Sequence, residues 1–175
     1  TIIVLFVTCE SVFSQLPQSY PAKTLLDNNG NLYLSGYNYF QDIETFKFDQ
    51  QGSLVWSNRY LNPGFDRAFD IVLDSTGNPY VTGFKYNSYW NTNQLFMLKH
   101  IDNEQGRIEF VKDLDNYIES TGYGIVRENS RFYVCGYVTG NANKDIIIIK
   151  FNRFGDTIWT RTLNNDLYNK DDVAT

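Results

Sequence analysis

Along most of the chain, apolar residues alternate with small or polar ones, the two-residue period of a half-buried strand. No stretch shows a convincing helical period flanked by capping residues. In the clearest stretch the alternation predicts four strands, Ala68 to Leu73, Pro79 to Gly83, Leu95 to Lys99 and Arg107 to Val111. The Asp-x-x-Gly-Asn element between the first two is hairpin chemistry: Gly and Asn accept positive φ, and Asp bonds its own backbone. Asn-Glu-Gln-Gly106 plays that part for the last pair, as Asn-Arg-Phe-Gly155 does further on.

The pattern repeats. Leu26-Asp-Asn-Asn-Gly-Asn-Leu-Tyr-Leu-Ser-Gly-Tyr37 returns as Leu73-Asp-Ser-Thr-Gly-Asn-Pro-Tyr-Val-Thr-Gly-Phe84 and, more worn, as Val126-Arg-Glu-Asn-Ser-Arg-Phe-Tyr-Val-Cys-Gly-Tyr137. Tyr33, Tyr80 and Tyr133 align at separations of 47 and 53 residues, as do Gly36, Gly83 and Gly136. A second half-repeat keeps the same register. Phe46-Lys-Phe-Asp-Gln-Gln-Gly-Ser-Leu-Val-Trp56 matches Ile149-Lys-Phe-Asn-Arg-Phe-Gly-Asp-Thr-Ile-Trp159, and in the middle copy Phe110 stands in place of Trp. Asp66-Arg-Ala68 is echoed by Asp172-Val-Ala174. Four antiparallel strands in a unit of ~40–50 residues predict an all-β fold of β-propeller blades. The expected boundaries are 21–66, 67–119 and 120–171, with a fourth unit opening at 172–175.

These motifs, Asp-x-x-Gly-Asn-x-Tyr-Val-Thr-Gly, then Lys-Phe-Asp/Asn-x-x-Gly-x-x-x-Trp, then Asp-x-Ala, resemble the β-propeller repeat of the SBBP family of secreted and surface bacterial proteins. The resemblance covers roughly residues 21 to 175 and implies a fold rather than an activity. The third copy departs from it at Arg127, Ser130 and Arg131, so its first turn is expected to differ. The Lys-Phe-Asp-x-x-Gly-x-x-x-Trp element is also distantly similar to the tryptophan-docking repeats of quinoprotein dehydrogenases, which would imply an enzyme holding pyrroloquinoline quinone. Three blades fall short of the ~4 that close a ring, so the sequence reads as an incomplete ring, a fragment of a larger propeller that other blades complete.

Physical roles follow. Trp56, Phe110 and Trp159 should pack between neighbouring blades, where a large ring buries much area. Gly36, Gly83 and Gly136 should mark a bend or close backbone approach at the end of the second strand. Lys47, Lys99 and Lys150 recur in otherwise apolar strands and invite pairing with a repeat carboxylate such as Asp27 or Asp74.

Composition narrows the function. A net charge of -5 argues against a nucleic-acid partner, which would need a basic face. His100 is the one histidine, so no mechanism or zinc site needing two imidazoles is available. No Gly-x-Ser-x-Gly elbow, Walker loop, His-Glu-x-x-His or Cys-x-x-Cys occurs. The sequence therefore predicts no enzyme, no cofactor and no metal. Asp27-Asn-Asn-Gly-Asn31, Asp74-Ser-Thr-Gly-Asn78 and Asp113-Leu-Asp-Asn116 offer oxygen ligands, but none has an EF-hand's spacing, and turn chemistry accounts for the first two.

The opening Thr1-Ile-Ile-Val-Leu-Phe-Val-Thr-Cys9 is too short to span a bilayer, which takes ~20 apolar residues. It fits the apolar region of a secretory signal peptide, with 1–15 as its remnant and an upstream start lost; it also reads as a strand of a preceding repeat, like Asp145-Ile-Ile-Ile-Ile-Lys-Phe151. With Cys9 removed, Cys135 is left alone as a small buried thiol. No Asn-x-Ser/Thr sequon appears, which leans toward a bacterial export product, secreted or on the cell surface.

The segments that do not repeat carry the functional expectation. Tyr86-Asn-Ser-Tyr-Trp-Asn-Thr-Asn-Gln94 reads as a long aromatic loop between the second and third strands of its unit, and Tyr37-Asn-Tyr-Phe40 is its counterpart. Tyr86, Tyr89 and Trp90, with Tyr37 and Tyr39, are the candidate binding residues, since rings beside amides stack on and hydrogen-bond a partner loop or a sugar. The expected function is a non-enzymatic interaction scaffold for a protein partner, with a glycan as the alternative.

Overall fold

The computed structural model describes residues 19–114, 119–139 and 143–163. The expectations for residues 1–15, Cys9, Asp115, Asn116 and the unit opening at 172–175 lie outside the described residues. The chain forms three four-stranded antiparallel sheets, each an up-and-down meander in sequence order. The first holds β1 (Ser19–Leu26), β2 (Leu32–Asn38), β3 (Ile43–Phe48) and β4 (Leu54–Tyr60). The second holds β5 (Arg67–Leu73), β6 (Pro79–Asn87), β7 (Thr92–Ile101) and β8 (Arg107–Asp113). The third holds β9 (Ser120–Glu128), β10 (Arg131–Thr139), β11 (Lys144–Asn152) and β12 (Thr157–Leu163). The first strands lie side by side: Lys23 reaches Asp70 at 3.8 Å, the Ile125 amide donates to Asp70 Oδ2 at 2.9 Å, and the Phe69 and Tyr123 rings meet at 5.4 Å. The sheets thus fan out from a common inner edge as β-propeller blades. No helix among the described residues is long and apolar enough to cross a membrane.

The turns form as their chemistry dictates. Asp27 Oδ1 accepts from the amides of Asn29 and Asn31, both at 2.9 Å, and Oδ2 from the Asn31 side chain at 2.8 Å; Gly30 closes the turn at φ 78°. Asp74 repeats this with Thr76, Asn78 and Gly77. Burial alone would raise both carboxyls, but the bonds they accept outweigh it and both are held below the usual carboxylate range. Their oxygens are committed to turns. In the third copy the connection shortens to Asn129-Ser130, with Asn129 at φ 54° in the role that glycine fills elsewhere.

Each inner strand carries a register slip beside the repeat glycine, between Pro21 and Lys23, between Ala68 and Asp70, and opposite Cys135 and Gly136. The bulge drives a backbone carbonyl onto the glycine. A Cβ on Gly36, Gly83 or Gly136 would lie 2.1, 1.8 or 1.8 Å from the oxygen of Tyr20, Arg67 or Thr121. The close approach is as expected, but its place is not: the glycines stand inside β2, β6 and β10 rather than at their ends. Cys135 is only half-buried.

Two apolar cores hold the blades together. Tyr33 and Trp56 of the first blade pack on Ala68, Val81, Phe96 and Leu98 of the second. Tyr80, Leu95 and Met97 of the second pack on Phe132, Ile147 and Ile149 of the third, with Tyr80 and Phe132 stacked at 3.8 Å. Trp56 is 5% exposed, and Phe110 packs against the second core. Trp159 has no further blade to pack on among the described residues. It is half-buried, on the face of the third blade turned away from the second.

The lysine pairing also differs. Lys47 Nζ meets Asp102 of the next blade's outer turn at 2.5 Å, and Lys99 meets Glu109 of its own blade at 2.5 Å. Asp102 stands on a 3-10 turn, Asp102–Glu104, that lengthens this connection and carries the carboxylate across to the first blade.

His100 sits between the same two blades, 1% exposed. Its Nδ1 lies 2.7 Å from the Gly106 carbonyl and must donate; Nε2, 3.0 Å from Thr45 Oγ1, then accepts. Burial lowers its pKa to about 4 from 6.5, against a smaller upward pull from the Gly106 bond. The fold holds the neutral ring, whereas the unfolded chain takes up a proton below pH 6.5. This contribution is intact above that value and is lost as pH falls toward about 4. Urea unfolding at pH 7 and pH 5 should differ by about 2 kcal/mol in the native protein. In His100→Phe, which installs the residue found at the matching Phe48 and Phe151, the difference should shrink to what the carboxylates contribute.

Candidate binding surface

The meander sends three connections to one end of the first two blades: Tyr39–Asp42 between β2 and β3, Leu61–Asp66 between β4 and β5, and Ser88–Asn91 between β6 and β7. The segment expected as a long loop, 86–94, is mostly strand. The ladder continues through Lys85–Gln94 and Tyr86–Asn93 to Asn87–Thr92, leaving a four-residue turn with Asn91 at φ 55°. The interblade linker causes this. The Tyr86 amide donates to Asp66 Oδ1 at 2.8 Å, and the Asn62 side chain donates to the Tyr86 carbonyl at 2.8 Å. The linker is itself pinned to the first blade, through the Asp66 amide on the Gln41 carbonyl at 2.7 Å. These bonds join the three connections into one surface.

The candidate residues divide. Tyr89 and Trp90 stand at the tip, 82% and 62% exposed, ring edge against ring face at 4.7 Å. Both their amides donate to Asn87 Oδ1, which fixes the turn. Tyr39 is also exposed and makes the same kind of edge contact with Phe40, at 5.7 Å. Tyr86 and Tyr37 are not free contact residues. The Tyr86 ring lies over Gly64 and its hydroxyl donates to Asn91 Oδ1 at 2.6 Å; Tyr37 is enclosed between the Tyr20 ring at 5.1 Å and the Arg67 guanidinium at 4.8 Å. Three residues that the sequence pattern does not single out complete the rim, namely Phe40, Leu61 and Phe65, all mostly exposed. Their signal is that Leu61 and Phe65 flank Pro63-Gly64, large apolar residues with no strand period to bury them.

Beneath the rim lies Asp66, fully buried, its carboxyl raised by burial despite the bonds from Tyr86 and Asn62. Three amides behind the rim are already used: Asn38 holds Asp42 and Glu44, Asn62 holds Asp66 and Tyr86, and Asn87 holds Gln94. What faces outward is mainly apolar and aromatic, on a polar frame that keeps it rigid. Two open clefts, of about 190 and 370 Å³, lie at the opposite end, among the turns of Asp74 and Asn129 and those of Asp27 and Asp74. No group of three or more metal-ligating side chains occurs among the described residues.

No family model matches the chain, and no curated protein matches it. Among solved structures it is similar to a protein of unknown function from Bacteroides caccae, at 9% identity over 86% of this chain and 69% of that one, with a TM-score of 0.32. It is also similar to an exo-1,5-alpha-L-arabinanase from a bovine ruminal metagenomic library, at 14% identity over 86% of this chain and 61% of that one, with a TM-score of 0.43.

Proposed function

We propose that the chain is a non-enzymatic propeller module of the SBBP kind, exported by a bacterium, that holds a protein partner on the aromatic rim of its first two blades. One observation carries the reading: Tyr39, Phe40, Leu61, Phe65, Tyr89 and Trp90 are all exposed at one end, on connections bonded to each other. Soluble proteins seldom leave such a patch uncovered without a use for it. Rigid aromatic pairs are what interface hot spots are made of. A protein partner is favoured over a glycan because the six exposed rings and aliphatic side chains dominate the rim, while Asn38, Asn62 and Asn87 spend their amides inside the fold. His100 supports the non-enzymatic reading, since both its nitrogens are engaged inside the core.

The test uses immobilised protein against extracellular proteins of the source cell, with a glycan array in parallel. The double variant Tyr89→Ser, Trp90→Ser should weaken partner capture at least ~30-fold, from ~2 kcal/mol or more for a hot-spot ring, with an unchanged melting temperature. A glycan lost with the same variant would transfer the surface to the carbohydrate reading. Capture indifferent to both rings would end the proposal.

A further inference from the structure

The face of the third blade that carries Trp159 repeats a receptor already occupied elsewhere in the molecule. In the first blade Lys47 Nζ lies 5.1 Å over the Tyr33 ring, and Tyr33 meets Trp56 edge-on at 6.2 Å and 68°. That trio holds the outer turn of the second blade: Lys47 Nζ contacts Asp102 Oδ2 at 2.5 Å, and Trp56 Nε1 donates to Asp102 Oδ1 at 2.9 Å. The indole lies flat on Gly106, where a Cβ would come within 2.3 Å. In the third blade Lys150 Nζ lies 4.8 Å over Tyr133, and Tyr133 meets Trp159 at 6.1 Å and 64°. The ring and lysine geometry is the same, yet all three side chains are half-buried. The Tyr133 hydroxyl donates to Glu128 Oε2 at 2.9 Å, and the Arg161 guanidinium lies 5.7 Å from the Trp159 ring. No carboxylate pairs with Lys150 among the described residues.

The middle blade shows that this is not mere repetition. There the ring is Phe110, which has no N–H to donate, and the turn that it meets carries Arg153 and Gly155 with no aspartate between them. Lys99 is neutralised within its own blade by Glu109, the residue before Phe110. In the first and third blades that position is Val55 or Ile158, so the lysine must find its carboxylate outside its own blade. In the first blade, lysine, indole N–H and an apolar neighbour meet a turn that presents Asp102; in the middle blade, phenylalanine and an in-blade glutamate meet a turn whose aspartate, Asp156, is held by Asn152.

We propose that the Tyr133–Lys150–Trp159 face docks a β-hairpin of a partner polypeptide whose turn carries an aspartate four residues ahead of a glycine, as Asp102 and Gly106 do. The carboxylate bridges Lys150 Nζ and Trp159 Nε1, and the glycine admits the indole. This surface is separate from the aromatic rim and does not depend on its function.

The probe is a cyclised hairpin with the sequence of residues 95–113, added to the full chain and followed by fluorescence anisotropy; cyclisation is needed because an isolated hairpin is marginally stable. Saturable binding is expected, weakened at least tenfold by Asp102→Asn in the peptide and, equally, by Lys150→Met or Trp159→Phe in the chain. Trp159→Phe keeps the ring and removes only the N–H, and circular dichroism melts of both variants establish that they fold. No binding, or equal binding of the Asp and Asn peptides, overturns the proposal. So does a concentration-dependent dimer that Lys150→Met dissolves, which would give the face to a second copy.

Discussion

Gly83→Ala is expected to destabilise the protein by at least about 3 kcal/mol, the upper range for overpacking a core, and to lower its melting temperature by roughly 10 °C. The added Cβ would sit 1.8 Å from the Arg67 carbonyl oxygen and 2.8 Å from its carbon. Both atoms belong to the backbone of the innermost strand, so no side chain can swing aside. Relief requires undoing the bulge between Ala68 and Asp70, which aims Asp70 at Lys23 and at the Ile125 amide. The damage therefore spreads from one blade to both neighbours. Gly77→Ala is the matched control. Its Cβ meets nothing within 4 Å, and only the positive φ of 87° is strained, a cost of about 1 kcal/mol. Urea midpoints of the two variants should separate clearly. Equal losses would mean that the inner strand shifts freely and that the bulge is not a fixed feature of the blade.

That constraint is legible in the amino-acid sequence, because Tyr-x-x-Gly recurs in all three copies and glycine inside a strand implies close approach. The turns are legible for the same reason: Asp-x-x-Gly-Asn is closed by bonds within five residues. What the sequence hides is set by residues far apart in the chain. The extension of β6 and β7 past Gly83 depends on Asn62 and Asp66 reaching Tyr86, and a local window of Asn, Ser and Thr reads as loop instead. The partner of Lys47 is Asp102, 55 positions on, carried there by an extra turn that breaks the repeat. Aligning the copies suggests Asp27 and Asp74, but those oxygens face their own turns. Tyr89 and Trp90 can be placed at a tip from sequence because nothing in the repeat accounts for them. Tyr86 and Tyr37 are packed instead, since aromatic content alone does not say which way a ring points.

Trp56→Ala should cost about 4 kcal/mol, within the range for truncating a buried aromatic, while Trp159→Ala should cost about 1 kcal/mol, as for a typical half-exposed site. The two residues occupy one position of the repeat and differ in what lies against them. Trp56 loses its contact with Gly106 and the apolar wall of the second blade, and it also leaves Asp102 Oδ1 without its donor. That second part can be isolated. Trp56→Phe keeps most of the ring and removes the N–H, so a loss of about 1.5–3 kcal/mol, as for a bond to a charged acceptor, would measure the indole–carboxylate bond alone. The loss should exceed that of a neutral bond, since the acceptor is a carboxylate paired with Lys47 and left with one donor fewer. Differential calorimetry of the three variants decides the matter. If Trp159→Ala proves as costly as Trp56→Ala, the outer face of the third blade is already covered by this chain's own residues. A small cost leaves that face free, with Lys150 and the indole in place to receive a carboxylate from outside.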